Sequence, residues 1–239
     1  NDVIENTRSE TLMLGVDFQQ ASEAVGALYE QMTDFTKVSA EAQAQLAKTA
    51  ATMNRIGVSA DTSAANFDIM TRSLNMSTEE AELLTRETVG LAKALDVPVN
   101  RIQADMKNAM KTLYAYGKTG VKVFKQLGAA AKATGVEMGR LLDFAAQFDT
   151  FEGAAESVGR LNGILGGNYL NSLEMVNMTE EERIRTLIAG MAASGKSWEA
   201  LGRFERKAIA AAVGISDMNE ANKILGMNLD AYDDMGNKA

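Results

Sequence analysis

Residues 190–197 match the sequence pattern of a phosphate-binding loop, G-x-x-x-x-G-K-[ST]. Four residues carry the match: Gly190, Gly195, Lys196 and Ser197. In such a loop, backbone N–H groups surround the phosphates, the lysine reaches the outer phosphates and the hydroxyl binds Mg²⁺. That geometry requires a buried strand before the loop, whereas residues 179–189 are rich in glutamate and arginine, which is typical of a capped surface helix. We therefore interpret residues 190–197 as a turn between helices, with a P-loop NTPase as the alternative ranked last.

The composition excludes most other catalytic chemistry. The chain contains no histidine and no cysteine, which removes Ser-His-Asp triads, thiolate nucleophiles and the usual transition-metal ligands. Its 32 Asp and Glu residues fall outside the predicted apolar faces, where burial could raise a carboxyl pKa into a useful range. We therefore predict no catalytic residue, no metal site, no cofactor and no enzymatic activity. The net charge of −8 argues against specific nucleic-acid binding, which needs a basic surface.

Helix is the secondary structure that the sequence predicts throughout. Apolar residues recur with a period near 3.6, and proline occurs only once. Capping boxes at residues 77–80 and 179–182 mark two helix starts. Five glycines stand where a helix needs a left-handed residue to end: Gly57, Gly117, Gly135, Gly195 and Gly214. The sequence therefore predicts an all-α fold of about eleven helices, with no run of the ~20 apolar residues that cross a membrane.

One kind of junction between helices recurs with a period of about 39 residues. An apolar residue follows the turn position in every copy, and apolar residues stand ten and thirteen places after it. The turn positions are Gly57, Asp96, Gly135 and Gly214. This spacing predicts αα repeats, helix–turn–helix units that bury their apolar faces by stacking on neighbouring units. The alternative is that unrelated helix junctions coincide in spacing.

We divide the sequence into an N-terminal helical segment at 1–36, a repeat-like helical domain at 37–228 and an acidic C-terminal tail at 229–239. Because the chain opens on Asn and without a basic leader region, we expect it to be a processed product or a piece of a longer protein. The N-terminal segment has apolar residues at the alternating three- and four-residue spacing of a coiled-coil seam: Phe18, Ala21, Val25, Leu28, Met32 and Phe35. The pattern fits either a self-association seam between copies or a helix packed within its own domain.

Several stretches resemble sequences that are typical of one known family. They are FDTFEGAAESVGRLN at 148–162, LGGNYLNSL at 165–173, GKSWEAL at 195–201 and FERKAIA at 204–210. Together with the Ala-Lys-Ala-Thr-Gly-Val type of junction, these stretches resemble tape measure proteins of tailed bacteriophages, particularly of contractile-tailed marine phages. The resemblance covers roughly residues 40–228 and carries over no catalytic or binding residue.

This resemblance implies a structural role in the virion. A tape measure protein packs inside the tail tube, helps to set tail length and is released during genome ejection. The resemblance also implies several copies of the chain, as a trimer or hexamer, in contact with tail-tube and tail-tip or hub proteins. Because the sequence lacks a long uninterrupted coiled coil, we expect a folded helical portion rather than the ruler itself. The alternative from another class is a non-enzymatic helical-repeat module that binds a protein partner.

Overall fold

The computed structural model describes residues 2–239, and 79% of the chain is helical. Those residues contain no β-strand, which confirms the predicted all-α class. They form fourteen α-helices, somewhat more than predicted, because four of the helices have eight residues or fewer. In chain order the helices are α1 (Asp2–Thr11), α2 (Phe18–Gln31), α3 (Ala40–Arg55), α4 (Ala60–Asp68), α5 (Thr78–Ala94), α6 (Val99–Leu113), α7 (Gly120–Thr134), α8 (Met138–Ala145), α9 (Phe151–Leu165), α10 (Ser172–Asn177), α11 (Glu180–Ala193), α12 (Arg203–Ala212), α13 (Met218–Leu225) and α14 (Leu229–Gly236).

The chain divides into two compact units, Asn1–Phe124 and Lys125–Ala239. The division falls within α7. In the first unit, α2 packs against α1, α3 and α4, while α6 packs against α4 and α5. The apolar stripe of each amphipathic helix faces these neighbours. The largest fully buried side chains of this unit are Leu28, Phe35, Leu46, Phe67, Met70, Leu95, Met106, Met110, Leu113 and Phe124.

The second unit is organised around α9 and α11. Helix α9 packs against α10 and α12, and α11 packs against α8, α13 and α14. The core side chains of this unit include Leu141, Phe148, Leu161, Ile184, Ile209, Val213 and Ile224.

The predicted terminal segments both contain helices that pack on neighbouring elements. Within 1–36, α2 lies against α3 and α4. Within 229–239, α14 packs on α11 and buries Tyr232, which is 3% exposed. The predicted borders at 36/37 and 228/229 therefore differ from the division at Phe124/Lys125.

The four predicted turn residues share one backbone conformation. Gly57, Asp96, Gly135 and Gly214 have φ angles of 92°, 52°, 65° and 71°, the left-handed region that ends a helix. After three of these turns, the N–H of the apolar residue donates to the carbonyl five positions earlier: Val58 to Met53, Val97 to Ala92 and Ile215 to Ala210. This is the Schellman pattern, which satisfies carbonyls that the helix end leaves unpaired. The recurring spacing thus corresponds to a recurring local geometry.

The apolar position ten residues after each turn is buried in every copy, whereas thirteen residues after Gly214 Met227 is only half-buried. Ten residues after the turns stand Phe67, Met106, Ala145 and Ile224, none more than 1% exposed. Gly15 begins a further copy of the junction, which the sequence pattern did not reveal because it lies 42 residues before Gly57. Its φ is 74°, and the residue ten places later, Val25, is also buried.

We expect Gly57→Ala to lower the free energy of unfolding by about 1–2 kcal/mol, because an L side chain is strained at its positive φ. Nothing lies within 4 Å of a Cβ built there, so backbone strain is the whole effect. Gly159 supplies the matched control, since it lies inside α9 with equally open space. Gly159→Ala should raise stability by about 0.5–1 kcal/mol. Urea denaturation of the wild type and both variants measures these changes in the free energy of unfolding. A change in the same direction for both variants would contradict the assigned turn.

Candidate functional site

The residues of the phosphate-loop pattern lie where α11 ends. Gly190 is inside the helix, and Gly195 follows it with a φ of 69°. The Ser197 side chain accepts a hydrogen bond from the Ala200 N–H and caps the next helical turn. The element before the loop is therefore a helix with a capping box at Thr179, where a P-loop would have a strand.

The polar groups of this loop bond to the protein itself. The N–H of Gly195 donates to the Ala192 carbonyl, and the N–H of Lys196 donates to the Ser194 hydroxyl. The Lys196 ammonium donates to the carbonyl of Ile164, at the end of α9, over 2.8 Å. A phosphate site needs amides and a lysine directed at the ligand. Here the amides bond within the turn, and the lysine ties the end of α11 to the end of α9.

Gly190 has a packing role that the sequence pattern did not indicate. A Cβ at this position would lie 2.8 Å from Cδ2 of Leu170. The glycine therefore allows the segment before α10 to approach α11 closely. Since this requirement comes from a residue twenty positions away, no local pattern could have predicted it.

The predicted seam lies mostly inside the first unit. Five of its six side chains are buried within the chain: Ala21, Val25, Leu28, Met32 and Phe35. Phe18 alone among them is exposed, at 54%. The structure therefore favours packing within the domain, the second of the two alternatives, over a seam between copies.

Arg183 is a polar centre that sequence reasoning missed. Its side chain lies in α11 and is only 4% exposed. The guanidinium donates to the carbonyls of Met175, Val176 and Ala145 and to the Asp149 carboxylate. It thereby joins α11 to α10 and to the end of α8. The run of three glutamates followed by two arginines in residues 180–185 suggested only a charged helix face, so the sequence held no signal for this role.

A second buried polar network joins three helices of the first unit. The Asn66 amide of α4 donates to the side-chain oxygen of Gln103 in α6 over 2.7 Å. The Gln103 amide in turn donates to the Thr88 hydroxyl of α5. All three residues are at most 1% exposed. These bonds fix the register of the packed helices, although the side-chain oxygen of Asn66 has no hydrogen-bond partner.

Glu181 and Tyr232 form the polar contact that holds α14 on α11. The Tyr232 hydroxyl donates to the Glu181 carboxylate over 3.0 Å. Beside it, Arg185 and Asp233 form a two-point ion pair with both distances at 2.7 Å. Burial raises the pKa of the Glu181 carboxyl, although the hydrogen bond from Tyr232 opposes that shift. Burial and the neighbouring carboxylate also raise the pKa of the Tyr232 hydroxyl.

We expect Glu181→Gln to be more stable than the wild type above the folded-state pKa of Glu181. A raised pKa means that the folded state binds the proton more tightly, so the wild type loses stability as pH rises through that pKa. Glutamine mimics the protonated acid and still accepts from Tyr232. Denaturation midpoints at pH 7 and pH 4.5 measure the stability difference between Glu181→Gln and the wild type, and this difference should shrink at the lower pH. Glu30→Gln, on an exposed face, is the control, and a gap that widens on acidification would contradict the expectation.

Carboxylates in the described part of the chain do not cluster as metal ligands do. Within residues 2–239, no group of three or more Asp and Glu side chains is arranged to hold a metal ion. None of the helices in that range is both long enough and apolar enough to span a bilayer. The polar side chains described above bond helices to one another.

Comparison of the chain with protein-family models, with curated proteins and with solved structures gives no significant match.

Proposed function

We propose that this chain is a structural component of a phage tail, a folded helical part of a tape measure protein. In this role it packs in the tail tube or tip, helps to set tail length and leaves during genome ejection. The sequence stretches at 148–162, 165–173 and 195–210 support the proposal through their resemblance to that family. The proposal assigns the chain to the virion and gives it no enzymatic activity.

The observation that carries a structural role is the use of the polar side chains. Three side chains form hydrogen bonds with other helices of their own unit: Lys196, Arg183 and Gln103. An enzyme keeps some of its polar groups directed at a substrate. A chain whose buried polar side chains mainly hold helices together is suited to bearing contacts with other proteins.

Tail length distinguishes a folded portion from an extended ruler. A chain of this length in one continuous helix would span about 360 Å, at 1.5 Å per residue. We propose that the segment is compact, so an in-frame deletion should shorten the tail by much less than that span. The measurement is tail length in negative-stain images of virions, with deletion of an equally long predicted coiled coil from the same parent gene as the control. Tails of normal length and number after loss of the whole parent gene would contradict the proposal.

A helical-repeat binding module outside any virion is the second candidate. A cleft of about 370 Å³ between α3 and α5 favours it, since both cationic and apolar side chains line that cleft: Lys48, Arg86, Met53, Ile56 and Val89 among them. A pull-down that recovers a cellular partner and no tail protein would select this candidate. The P-loop NTPase is tested by titration with ATP and Mg²⁺, and binding that Lys196→Ala abolishes would establish it instead.

A further inference from the structure

Charge is unevenly distributed along the N-terminal half of the sequence. From Met106 to Val136 the sequence contains no Asp or Glu but several lysines: Lys107, Lys111, Lys118, Lys122, Lys125 and Lys132. Residues 9–36 show the reverse, with no Lys or Arg but several carboxylates: Glu10, Asp17, Glu23, Glu30 and Asp34. In a chain of net charge −8, the first of these stretches is a marked local excess of positive charge.

Part of this excess lies on one side of α6 and of the residue that follows it, a surface that we call the basic face: Lys107, Lys111 and Tyr114. These residues stand four and seven positions apart, so they share one side of the helix. Lys111 is exposed, and Tyr114 is 57% exposed. Neither lysine forms an ion pair within the part of the chain that the structure describes. The Lys111 side chain and the Tyr114 ring therefore lie at the surface, with the half-buried Lys107 beside them.

Helix α2 displays the opposite charge on its outer side, which we call the acidic face: Glu23, Gly26 and Glu30. Both glutamates are exposed. With Asp61 of α4 they line a cavity of about 360 Å³ that has no lysine or arginine among its lining residues. Nothing lies within 4 Å of a Cβ built on Gly26, so the surface between the glutamates is open to a bulky side chain.

The two faces are complementary, yet they do not neutralise each other within the chain. Helix α2 packs against α1, α3 and α4, and α6 against α4 and α5. Across residues 2–239 no ion pair joins a lysine of the basic face to a glutamate of the acidic face. Elsewhere in the lysine-rich stretch, Lys118 pairs with Glu80 at 2.6 Å.

We propose that the basic face of one copy docks on the acidic face of a second copy. The ammonium groups of Lys107 and Lys111 then face the carboxylates of the acidic face, and Tyr114, which follows both lysines along the chain, packs at one end of the contact. Opposite charges speed this encounter and fix its orientation, while the aromatic ring adds buried area. Because the contact joins two different faces, it is heterologous, and it generates a closed ring or an open filament. This contact does not depend on the proposed tail role.

Charge reversal tests the docking directly in the whole chain. Sedimentation velocity over a range of concentrations should show self-association of the wild type that weakens with added salt. Lys107→Glu with Lys111→Glu should weaken it about tenfold or more, and Glu23→Lys with Glu30→Lys should do the same. An equimolar mixture of these two double variants should associate again, because each supplies the face that complements the other.

Two further variants separate docking from net charge and from misfolding. Arg203→Glu with Lys207→Glu reverses two exposed cations four residues apart on α12, changing net charge equally, and should leave association unchanged. Gly26→Gln keeps the charge, and its Cβ meets no atom of the chain within 4 Å, but it places a bulky side chain between the two glutamates and should hinder docking. Circular dichroism melts establish that each variant is folded.

Several results would overturn the proposal. One is a wild type that is monomeric at every concentration. Another is association that charge reversal of either face leaves unchanged. A third is an equal loss of association in the α12 control. A monomer that instead binds an oligonucleotide through Lys107 and Lys111 would assign the basic face to a nucleic acid. If the chain associates as expected but deletion of its parent gene leaves tails unchanged, the tail role alone is wrong.

Discussion

Arg183→Met is expected to lower the free energy of unfolding by about 3–5 kcal/mol. The guanidinium bonds the carbonyls of Met175, Val176 and Ala145, and methionine has no donor for any of them. Each buried acceptor left without a partner costs about 1–3 kcal/mol. An apolar replacement often compensates for a buried ion pair, but it cannot do so here because three of the four partners are backbone carbonyls.

Urea denaturation of the chain, monitored by circular dichroism, measures this loss of stability. Arg160→Met is the matched control, since Arg160 is exposed and pairs only with Glu156 one turn away in α9. Such a surface pair contributes at most about 0.5 kcal/mol. If both arginine variants lost the same stability, Arg183 would not be the polar centre that the structure indicates.

Phe67→Ala is the second large effect, with an expected loss of about 3–5 kcal/mol. The Phe67 ring is fully buried between α4 and its neighbours, at 0% exposure. Removing it leaves a cavity that the packed helices can refill only in part. Because Phe67 stands ten residues after Gly57, the same measurement also tests whether this position of the recurring junction faces the core.

Phe204→Ala provides the comparison for this prediction. Phe204 lies in α12 and is 84% exposed, so its removal should change stability by no more than about 0.5 kcal/mol. Thermal melts of the two variants give the contrast. A small effect at Phe67 would show that the register assigned to the repeat is wrong for this unit.

Local features of the fold were predictable because their causes are local. The boxes at Ser77 and Thr179 have both reciprocal hydrogen bonds in place. All five glycines expected at helix ends have positive φ angles. In each instance a few neighbouring residues determine the geometry, through a hydroxyl that reaches a backbone N–H or through the absence of a Cβ.

Features that depend on distant residues could not be predicted. The spacing from Phe18 to Phe35 identified an apolar stripe, but its partners, α3 and α4, lie outside the stripe itself. The role of Gly190 depends on Leu170, and that of Arg183 on carbonyls in other helices. The π-helical turn at Ile69–Ser73 likewise has no local marker that we recognise. Periodicity reveals which face of a helix is apolar, but not what covers it.

The packing of each helix on partners nearby in sequence has a kinetic consequence. Helix α2 packs on α1, α3 and α4, and α11 packs on helices no more than three places away. Closing such short loops costs little chain entropy, so proteins with this organisation fold within about microseconds to milliseconds. We therefore expect each unit to begin folding while synthesis continues, and to recover its structure soon after being stretched.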